Sequence, residues 1–354
     1  MKNINMVCPI GYTGYGITSL NIFKELSNRS NITLFLIGSS VKSLNLNSET
    51  EKHLVESSVM GQAFYDSEAP ILKIWHAHDL SMRPGKGRYC VFPFFELNTM
   101  SPIEIHHLNQ ADIIFTASGW GKQILENNMV KSEIVVAPLG VDTSIFHPSP
   151  IKRKNTYIFF HIGKWEKRKS QDILIECFSN AFDTNDDVEL WLVPHNPFLS
   201  EEETKTWTTL ANNSKLSDKI KIFPRLKTQH DLSKLINSAD CGVFVSRAEG
   251  WNNEILESMA LNKPVIVTNY SAHTEYCDSQ NSILIPIDSL EPAFDNKWFN
   301  GEGSWAHMGQ SQKEAIIENM RMVYKNDIRS NPEGLKTATN FSWKSTVDII
   351  YANT

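Results

Sequence analysis

The sequence predicts an α/β protein made of two doubly wound parallel sheets in tandem. Short apolar or β-branched runs alternate with amphipathic stretches along most of the chain, which is the pattern of repeated βαβ units. The runs fall into two series, separated by a segment rich in Pro, Ser and charge. With 354 residues the chain also exceeds the usual size of one hydrophobic core, so two cores of roughly 150 to 200 residues are expected.

The first series of strands reads NINMVCPI, NITLFLIG, ILKIWHA, RYCVFPFF, DIIFTAS and EIVVAPLG, with helical stretches such as ITSLNIFKELSN and GWGKQILENN between them. After Val141 comes DTSIFHPSPIKRKNT, which Pro148 and Pro150 stiffen and which repeats with neither a helical nor a strand period. It reads as a linker over 148–156, after a first domain at 1–147 and before a second at 157–334. The second series reads TYIFFHIG, DVELWLVP, KIKIFP, CGVFVS, KPVIVTN and SILIPI. The tail, about 335–354, is helical in period, and Trp343, Val347 and Ile350 form an apolar stripe at i, i+4 and i+7.

Hydrophobic residues are 41% and charged residues 21% of the chain, an ordinary globular balance that leaves no room for extensive disorder. A formal net charge of −6 provides no field to hold nucleic acid or an anionic membrane non-specifically. Five scattered cysteines without a C-x-x-C pair fit a reducing compartment, with neither a disulfide frame nor a zinc site. The opening MKNINMVCPIGYTG is too brief for a signal sequence, and no run approaches the ~20 apolar residues that span a bilayer. A cytoplasmic protein is expected.

The most informative stretch is SRAEGWNNEILESMALNKPVIVTNY, which sets Glu249 and Glu257 with seven residues between them around a Gly-aromatic-Asn-Asn turn. The preceding CGVFVS is a buried-strand run, and Ile255, Leu256, Met259 and Ala260 share one helical face, so the unit is strand, turn, helix. Gly250 is expected to bring the backbone close to a ligand or take φ > 0, and Asn252 or Asn253 to cap the helix. A helix N-terminus of this kind suits a phosphate. Glu249 lies at the carboxyl end of the strand, and Glu257, one turn into the helix, leans back toward the same pocket.

Two carboxylates alone would repel a phosphate, so they are expected to serve hydroxyls while cations come from elsewhere. Those cations stand in FFHIGKWEKRKSQDILIECF, where Lys164, Lys167, Arg168 and Lys169 occupy the loop between a strand and a helix. Taken singly, the basic cluster also reads as a solvated face and the glutamates as complements of a helix dipole.

In combination and order, these residues resemble the retaining glycosyltransferases of the GT-B fold, specifically glycosyltransferase family 4. EGWNNEILESMALNKPVI is similar to the family's E-G-x6-E-A-M-A block followed by G-x-P-V-I, and GKWEKRKSQDIL to its G-R-L-x-x-x-K-G block. APLGVDTSIFHP resembles the segment ahead of the family's linker, and the likeness is strongest from Asp112 to Glu275. The resemblance implies two Rossmann-like domains facing a cleft, the second holding a nucleotide sugar, the first an acceptor, with the tail helix packed back on the first. It implies metal-independent transfer with retention of configuration and no bound cofactor, a UDP-sugar being the co-substrate expected first. Glu249 would hold donor sugar hydroxyls and Glu257 the ribose. Lys164 and Lys169 would stabilise charge on the departing phosphate. Gly250, Trp251, Asn252, Asn253, Arg168 and Arg225 complete the expected donor side.

There are departures. Lys164 stands where the family has an Arg, which keeps charge but loses bidentate geometry. In CVFPFFELNTMSP, Glu96 stands where the family carries a His, at what reads as the end of an apolar strand. It is taken as a catalytic candidate.

GYTGYGITS places Gly11, Gly14, Tyr15 and Gly16 between a strand and a helix, lining the expected acceptor side. It lacks both G-x-G-x-x-G and G-K-[ST], and the second strand ends in Gly38, Ser39 and Ser40 without a ribose-binding acid, so a nicotinamide cofactor and a Walker-type NTPase are disfavoured. His76 and His78 in WHAHDL lack a third metal ligand with defined spacing, so acceptor contact is the expectation and a metal is not. Ser118 and Trp120 suit capping and packing as well as acceptor binding, and His273 and Glu275 are equally ambiguous.

The expected function is transfer of a sugar to a glycan or lipid-linked acceptor. A phage-type enzyme acting on modified DNA bases is one alternative, for which Lys152, Arg153 and Lys154 would form the basic patch. A nucleotide-sugar epimerase and a silent nucleotide-sugar-binding module are the others.

Overall fold

The structure, a computed structural model, describes residues 1–38, 48–150 and 155–354. Ser39 and Ser40, and the basic trio Lys152, Arg153 and Lys154, lie outside the described residues. The chain forms two compact units, one of Met1–Gly140 with Phe341–Thr354 and the other of Val141–Asn340.

All six strands expected in the first series form: β1 (Lys2–Cys8), β2 (Ser30–Leu36), β3 (Ile71–Lys73), β4 (Tyr89–Val91), β5 (Ile113–Thr116) and β6 (Glu133–Val136). They pair in parallel in the order β2-β1-β3-β4-β5-β6. The helices between them are α1 (Gly14–Ser27), α2 (Ser48–Val55), α3 (Gly61–Ala63), α4 (Pro102–Leu108) and α5 (Gly119–Asn127). Gly16 is needed at the start of α1, because a Cβ there would sit 2.4 Å from the Gly11 backbone nitrogen. Ser118 caps α5, its Oγ accepting from the Gly121 N–H at 3.0 Å.

The second unit repeats the plan with β7 (Tyr157–Ile162), β8 (Val188–Val193), β9 (Ile220–Ile222), β10 (Cys241–Phe244), β11 (Val265–Thr268) and β12 (Ile283–Ile285). Its helices are α6 (Gln171–Ala181), α7 (Glu201–Asn212), α8 (Gln229–Asn237), α9 (Asn253–Ala260), α10 (Gln310–Lys325) and α11 (Pro332–Asn340). Strand order is β12-β11-β10-β7-β8-β9, all parallel, so the winding reverses between β7 and β10. Ligands of open α/β sheets bind outside the carboxyl ends of strands at such a reversal. Both motif-bearing loops, 163–170 and 245–252, leave the sheet there.

Every residue of β7 is buried, which explains why YIFFHI reads as an unbroken apolar run around one histidine. Phe159, Phe178, Leu174 and Val243 are among the side chains of this core, each contributing about 1.5–3 kcal/mol by full burial.

The segment after Val141 is part of the second unit, where Ser233 Oγ donates to the Ile145 carbonyl at 2.7 Å and Asn237 Nδ2 to that of Ser149 at 2.9 Å. A two-stranded antiparallel hairpin, β13 (Leu290–Phe294) and β14 (Asn300–Ala306), has no counterpart among the expected strands.

The final helix, α12 (Trp343–Asn353), packs on α1 in the first unit with Trp343, Val347 and Ile350 buried. The approach is close: a Cβ on Gly140 would lie 2.1 Å from the Trp343 backbone nitrogen. Among the described residues, no helix is long and apolar enough to cross a membrane. All five cysteines are buried and free.

Candidate functional site

Gly163 follows β7 at φ 152, and the chain then makes a short 3-10 turn, Lys167–Lys169, before α6. Ser170 adopts a left-handed conformation, φ 58 and ψ 30, at the junction. The turn directs Arg168 and Lys169 inward, and both are over nine-tenths buried. Across the sheet reversal, the loop after β10 carries Glu249 to meet them. Lys169 Nζ lies 2.8 Å from Glu249 Oε1, and Arg168 Nη1 lies 2.6 Å from Oε2. Ser246 Oγ donates to Oε1 at 2.8 Å, and the Glu249 backbone N–H donates to Ser271 Oγ at 2.9 Å.

Burial alone would raise the Glu249 pKa. The charges of Arg168 and Lys169 outweigh it and hold the carboxyl well below the usual carboxylate range. Burial alone would likewise lower the Lys169 pKa, but Glu249 and then Glu254 keep it above its ordinary value. The pair is therefore ionised. The cations stand on a different loop from Glu249, and the carboxylate, expected to serve hydroxyls, forms one buried ion cluster with Arg168 and Lys169.

Arg168 also reaches Glu166, Nε to Oε1 at 2.9 Å, and donates to the Ala248 carbonyl at 2.7 Å. Lys164 stands apart from Glu249. Its ammonium is 3.9 Å from Glu166 Oε2 and 5.3 Å from the Phe198 ring centre, with the side chain 39% exposed. Lys167 is exposed. Three cations and two acids thus meet at the reversal point, with Lys164 presented to solvent.

The turn into α9 departs from its expected geometry. Among the described glycines, Gly250 is not one with positive φ; Asn252 takes that role at φ 84, a conformation Asn tolerates better than most residues. Asn252 is the N-cap, but its side chain makes no capping bond. Its amide Nδ2 instead meets His273 Nε2 at 3.2 Å. His273 Nδ1 faces the Thr268 carbonyl at 3.1 Å, so Nδ1 carries the proton and Nε2 accepts from Asn252. Burial depresses the His273 pKa to about 4, and the ring is neutral. The Trp251 indole is buried against the Tyr276 ring, centroids 4.7 Å apart, while Tyr276 Oη donates to the carbonyls of Trp251 and Asn252, both at 2.9 Å.

Glu257 is buried in α9, and Oε2 has no hydrogen-bond partner. Burial, then the Glu254 charge, pushes its pKa well above the ordinary value. The Oδ1 atoms of Asn252 and Asn253 are also buried without a partner. Three neighbouring side chains therefore hold oxygens without a partner in one turn and a half of chain. Such groups cost about 1–3 kcal/mol each unless a ligand or water supplies the missing donor. His161 in β7 adds another: Nδ1 donates to the Val243 carbonyl at 2.7 Å and Nε2 is unpartnered, with burial lowering its pKa to about 4. Arg225 sits in the loop after β9, half-buried, and its charge is felt at His195.

In the first unit the winding reverses between β1 and β3, and the loop after β3 brings Trp75 and His76 against Tyr15 in the first turn of α1. Tyr15 lies 5.7 Å from Trp75 and 4.7 Å from His76 between ring centres, and His76 stacks on His78 at 5.4 Å. Tyr15 Oη accepts from the Phe94 N–H at 2.9 Å and donates to the Phe94 carbonyl at 3.1 Å, so the ring is held in place. Gly14 opens α1 beside it. β4 stops at Val91, so Glu96 lies out in the following loop, half-buried, rather than ending a strand. Its charge acts on the buried Tyr15 hydroxyl. Among the described residues, no cluster of three or more His, Cys, Asp or Glu is arranged to hold a metal.

Arg247 escaped the sequence reading. It is buried beside Glu249 and binds the basic loop at several points. Its only signal was its place inside the SRAEG run.

Residues 156–297, which include the basic loop and both glutamates, match the family described as glycosyl transferases group 1. An uncharacterized glycosyltransferase of Methanocaldococcus jannaschii is 24% identical over 259 residues, 65% of this chain and 60% of that protein. The chain thus spans less than two thirds of that relative. In solved structures, sucrose-phosphate synthase of Thermosynechococcus elongatus superposes over 100% of this chain and 98% of its own, with TM-score 0.74 and 15% identity. Anabaena HepE, solved in complex with UDP-glucose, does so over 100% of both chains with TM-score 0.71 and 14% identity. The two parallel six-stranded sheets are the GT-B fold. The family match is confined to residues 156–297, and the likeness to solved structures is one of fold.

Proposed function

We propose that this protein transfers a sugar from a nucleotide-sugar donor to an acceptor hydroxyl, with retention of configuration and without a metal. The observation that carries the reading is the pairing of opposites at one sheet reversal. Cations gather on the 163–170 loop, and oxygens without a partner on Asn252, Asn253 and Glu257 gather at the start of α9. A ligand that satisfies both has anionic and hydroxyl-rich parts, which describes a nucleoside diphosphate sugar. HepE was solved with UDP-glucose, which supports a UDP-sugar as the first donor to test.

In this reading Lys164 and Lys169, with the amides at the start of α9, stabilise the charge that grows on the departing phosphate. Arg168 holds Glu249 so that the carboxylate keeps a fixed orientation toward donor sugar hydroxyls. Glu257 takes the ribose hydroxyls. Gly250 and the Trp251 backbone shape the turn, and Arg225 lies on the nucleoside side. The acceptor, a glycan or lipid-linked sugar, is assigned to Gly14, Tyr15, Gly16, His76 and His78 in the first unit, with Glu96 in place of the family's histidine. The phosphate oxygen that leaves takes the acceptor's proton, so no side-chain base is required.

The test is turnover against UDP-, GDP-, ADP- and CMP-linked sugars with mono- and disaccharide acceptors, followed by the anomeric configuration of the product. One donor releasing nucleotide and giving a retained linkage is the expected result. No release with any donor, or an inverted product, removes the reading.

A further inference from the structure

The loop that carries Lys164, Arg168 and Lys169 is held in an uncommon shape. Ser170 is left-handed at φ 58 although it is not a glycine. Such conformations persist where surrounding groups over-determine them. Gln171 holds the start of the loop, its Nε2 donating to the carbonyls of Gly163 at 2.9 Å and Lys164 at 2.7 Å, and Arg247 holds the end of it. Arg247 Nη1 donates to the Lys167 carbonyl at 2.5 Å and to Ser170 Oγ at 2.9 Å, and the Arg247 backbone N–H donates to the Arg168 carbonyl at 2.7 Å. Three of the four residues from Lys167 to Ser170 therefore end on Arg247.

Arg247 is itself set from the other side by the β13–β14 hairpin. Its Nε lies 3.2 Å from Glu291 Oε1, and the same oxygen accepts from Trp305 Nε1 at 3.1 Å. Glu291 Oε2 lies 2.8 Å from His307 Nδ1, the guanidinium stands 5.8 Å from the Trp305 ring centre, and the Ala306 N–H donates to the Arg247 carbonyl at 2.9 Å. The chain of contacts runs from the hairpin through Glu291 and Arg247 to the turn that aims Arg168 and Lys169 at Glu249.

We infer that Arg247 and Glu291 are positioning residues for the basic loop, and that the β13–β14 hairpin is a strut holding Arg168 and Lys169 in the geometry used for donor turnover. The assignment rests on the glycosyl-transfer reading for its kinetic part only. Arg247 faces the loop and hairpin with a fork of donors, which a lysine cannot reproduce.

The experiment compares Arg247→Ala, Arg247→Lys, Glu291→Ala and Glu291→Gln with the unaltered chain by hydrogen exchange of the 163–172 segment without ligand, and by donor turnover. Glu291→Gln keeps the acceptor oxygen and should behave as the unaltered chain does. Arg247→Ala and Glu291→Ala should speed exchange of the segment about tenfold while β7 and β10 stay protected. Donor turnover in these two should fall about tenfold or more in kcat with KM little changed, because misplaced loop cations cost the transition state more than binding. Arg247→Lys should fall between.

Unchanged exchange in Arg247→Lys and Glu291→Ala overturns the inference, as does slowed turnover with unchanged exchange. Faster exchange over the whole second unit also overturns it, since that marks a general structural role. If Arg247→Ala does not fold, the other variants decide. If the unaltered chain turns over no donor, the glycosyl-transfer reading fails, while the exchange comparison still decides whether the hairpin holds the loop.

Discussion

Lys169 Nζ lies 2.8 Å from Glu249 Oε1, and both side chains are over nine-tenths buried. Removing the two partners should have unequal effects. Glu249→Ala leaves Arg168 and Lys169 buried without their shared anion, and should destabilise the second unit by about 3–5 kcal/mol. Lys169→Ala leaves Glu249 with Arg168 at 2.6 Å and Ser246 at 2.8 Å, so its cost should be clearly smaller. Denaturant unfolding followed by tryptophan fluorescence measures the difference. Equal losses would mean that Arg168 does not share the carboxylate.

Lys169→Ala should lower turnover far more than stability. A donor aimed at developing phosphate charge contributes about 10²–10³ in kcat. Near-normal turnover on an identified donor would remove Lys169 from the proposed chemistry.

Glu257 gives a pH dependence with a definite sign. Its folded pKa is raised by burial, then by Glu254, so between the unfolded and folded values the folded chain binds the extra proton. The stability it contributes is complete below the unfolded value and is lost as pH rises through the folded one. Melting temperature should therefore fall from mildly acidic toward alkaline pH, and Glu257→Gln should flatten that fall. An unaltered slope in the variant would contradict the buried, unpaired state of Glu257.

His161 and His273 act at the other end of the scale. Burial lowers both to about 4, below the ordinary histidine value, so they contribute stability that is lost as pH falls toward about 4. Histidine ring signals followed by NMR should show two side chains neutral down to about pH 4, and His161→Gln should reduce the acid sensitivity of unfolding. Both rings titrating near pH 6.5 would contradict their burial.

Gly140→Ala tests the return of the tail to the first unit. The added Cβ meets the Trp343 backbone nitrogen at 2.1 Å, and backbone cannot swing aside as a side chain can. Overpacking of this kind costs about 1–3 kcal/mol or more, so protease cleavage ahead of α12 should accelerate. Unchanged cleavage would mean that α12 docks with slack at Gly140.

The sheets were legible because parallel strands buried on both faces read as continuous apolar runs, as YIFFHI and CGVF do. The β13–β14 hairpin was not. It carries Pro292, exposed Leu290 and Phe294, and glycines at positive φ in Gly301 and Gly303, so neither alternation nor apolar continuity marks it. Glu249, Arg168 and Lys169 were legible as residues of two loops. Their pairing was not, since it spans some eighty positions and depends on which strands neighbour each other. Asn252 takes the positive φ instead of Gly250 and bonds to His273, a partner that local sequence does not announce. Arg247 was invisible for a similar reason, because its partners are backbone carbonyls and a hairpin glutamate.

The most direct measurement is the position of a nucleoside diphosphate sugar in a crystal of this protein. Phosphate oxygens are expected within hydrogen-bonding distance of Lys164 and Lys169, and ribose hydroxyls on Glu257. A diphosphate bound away from the 163–170 loop, or a loop turned outward with Glu249 and Glu257 untouched, would contradict it.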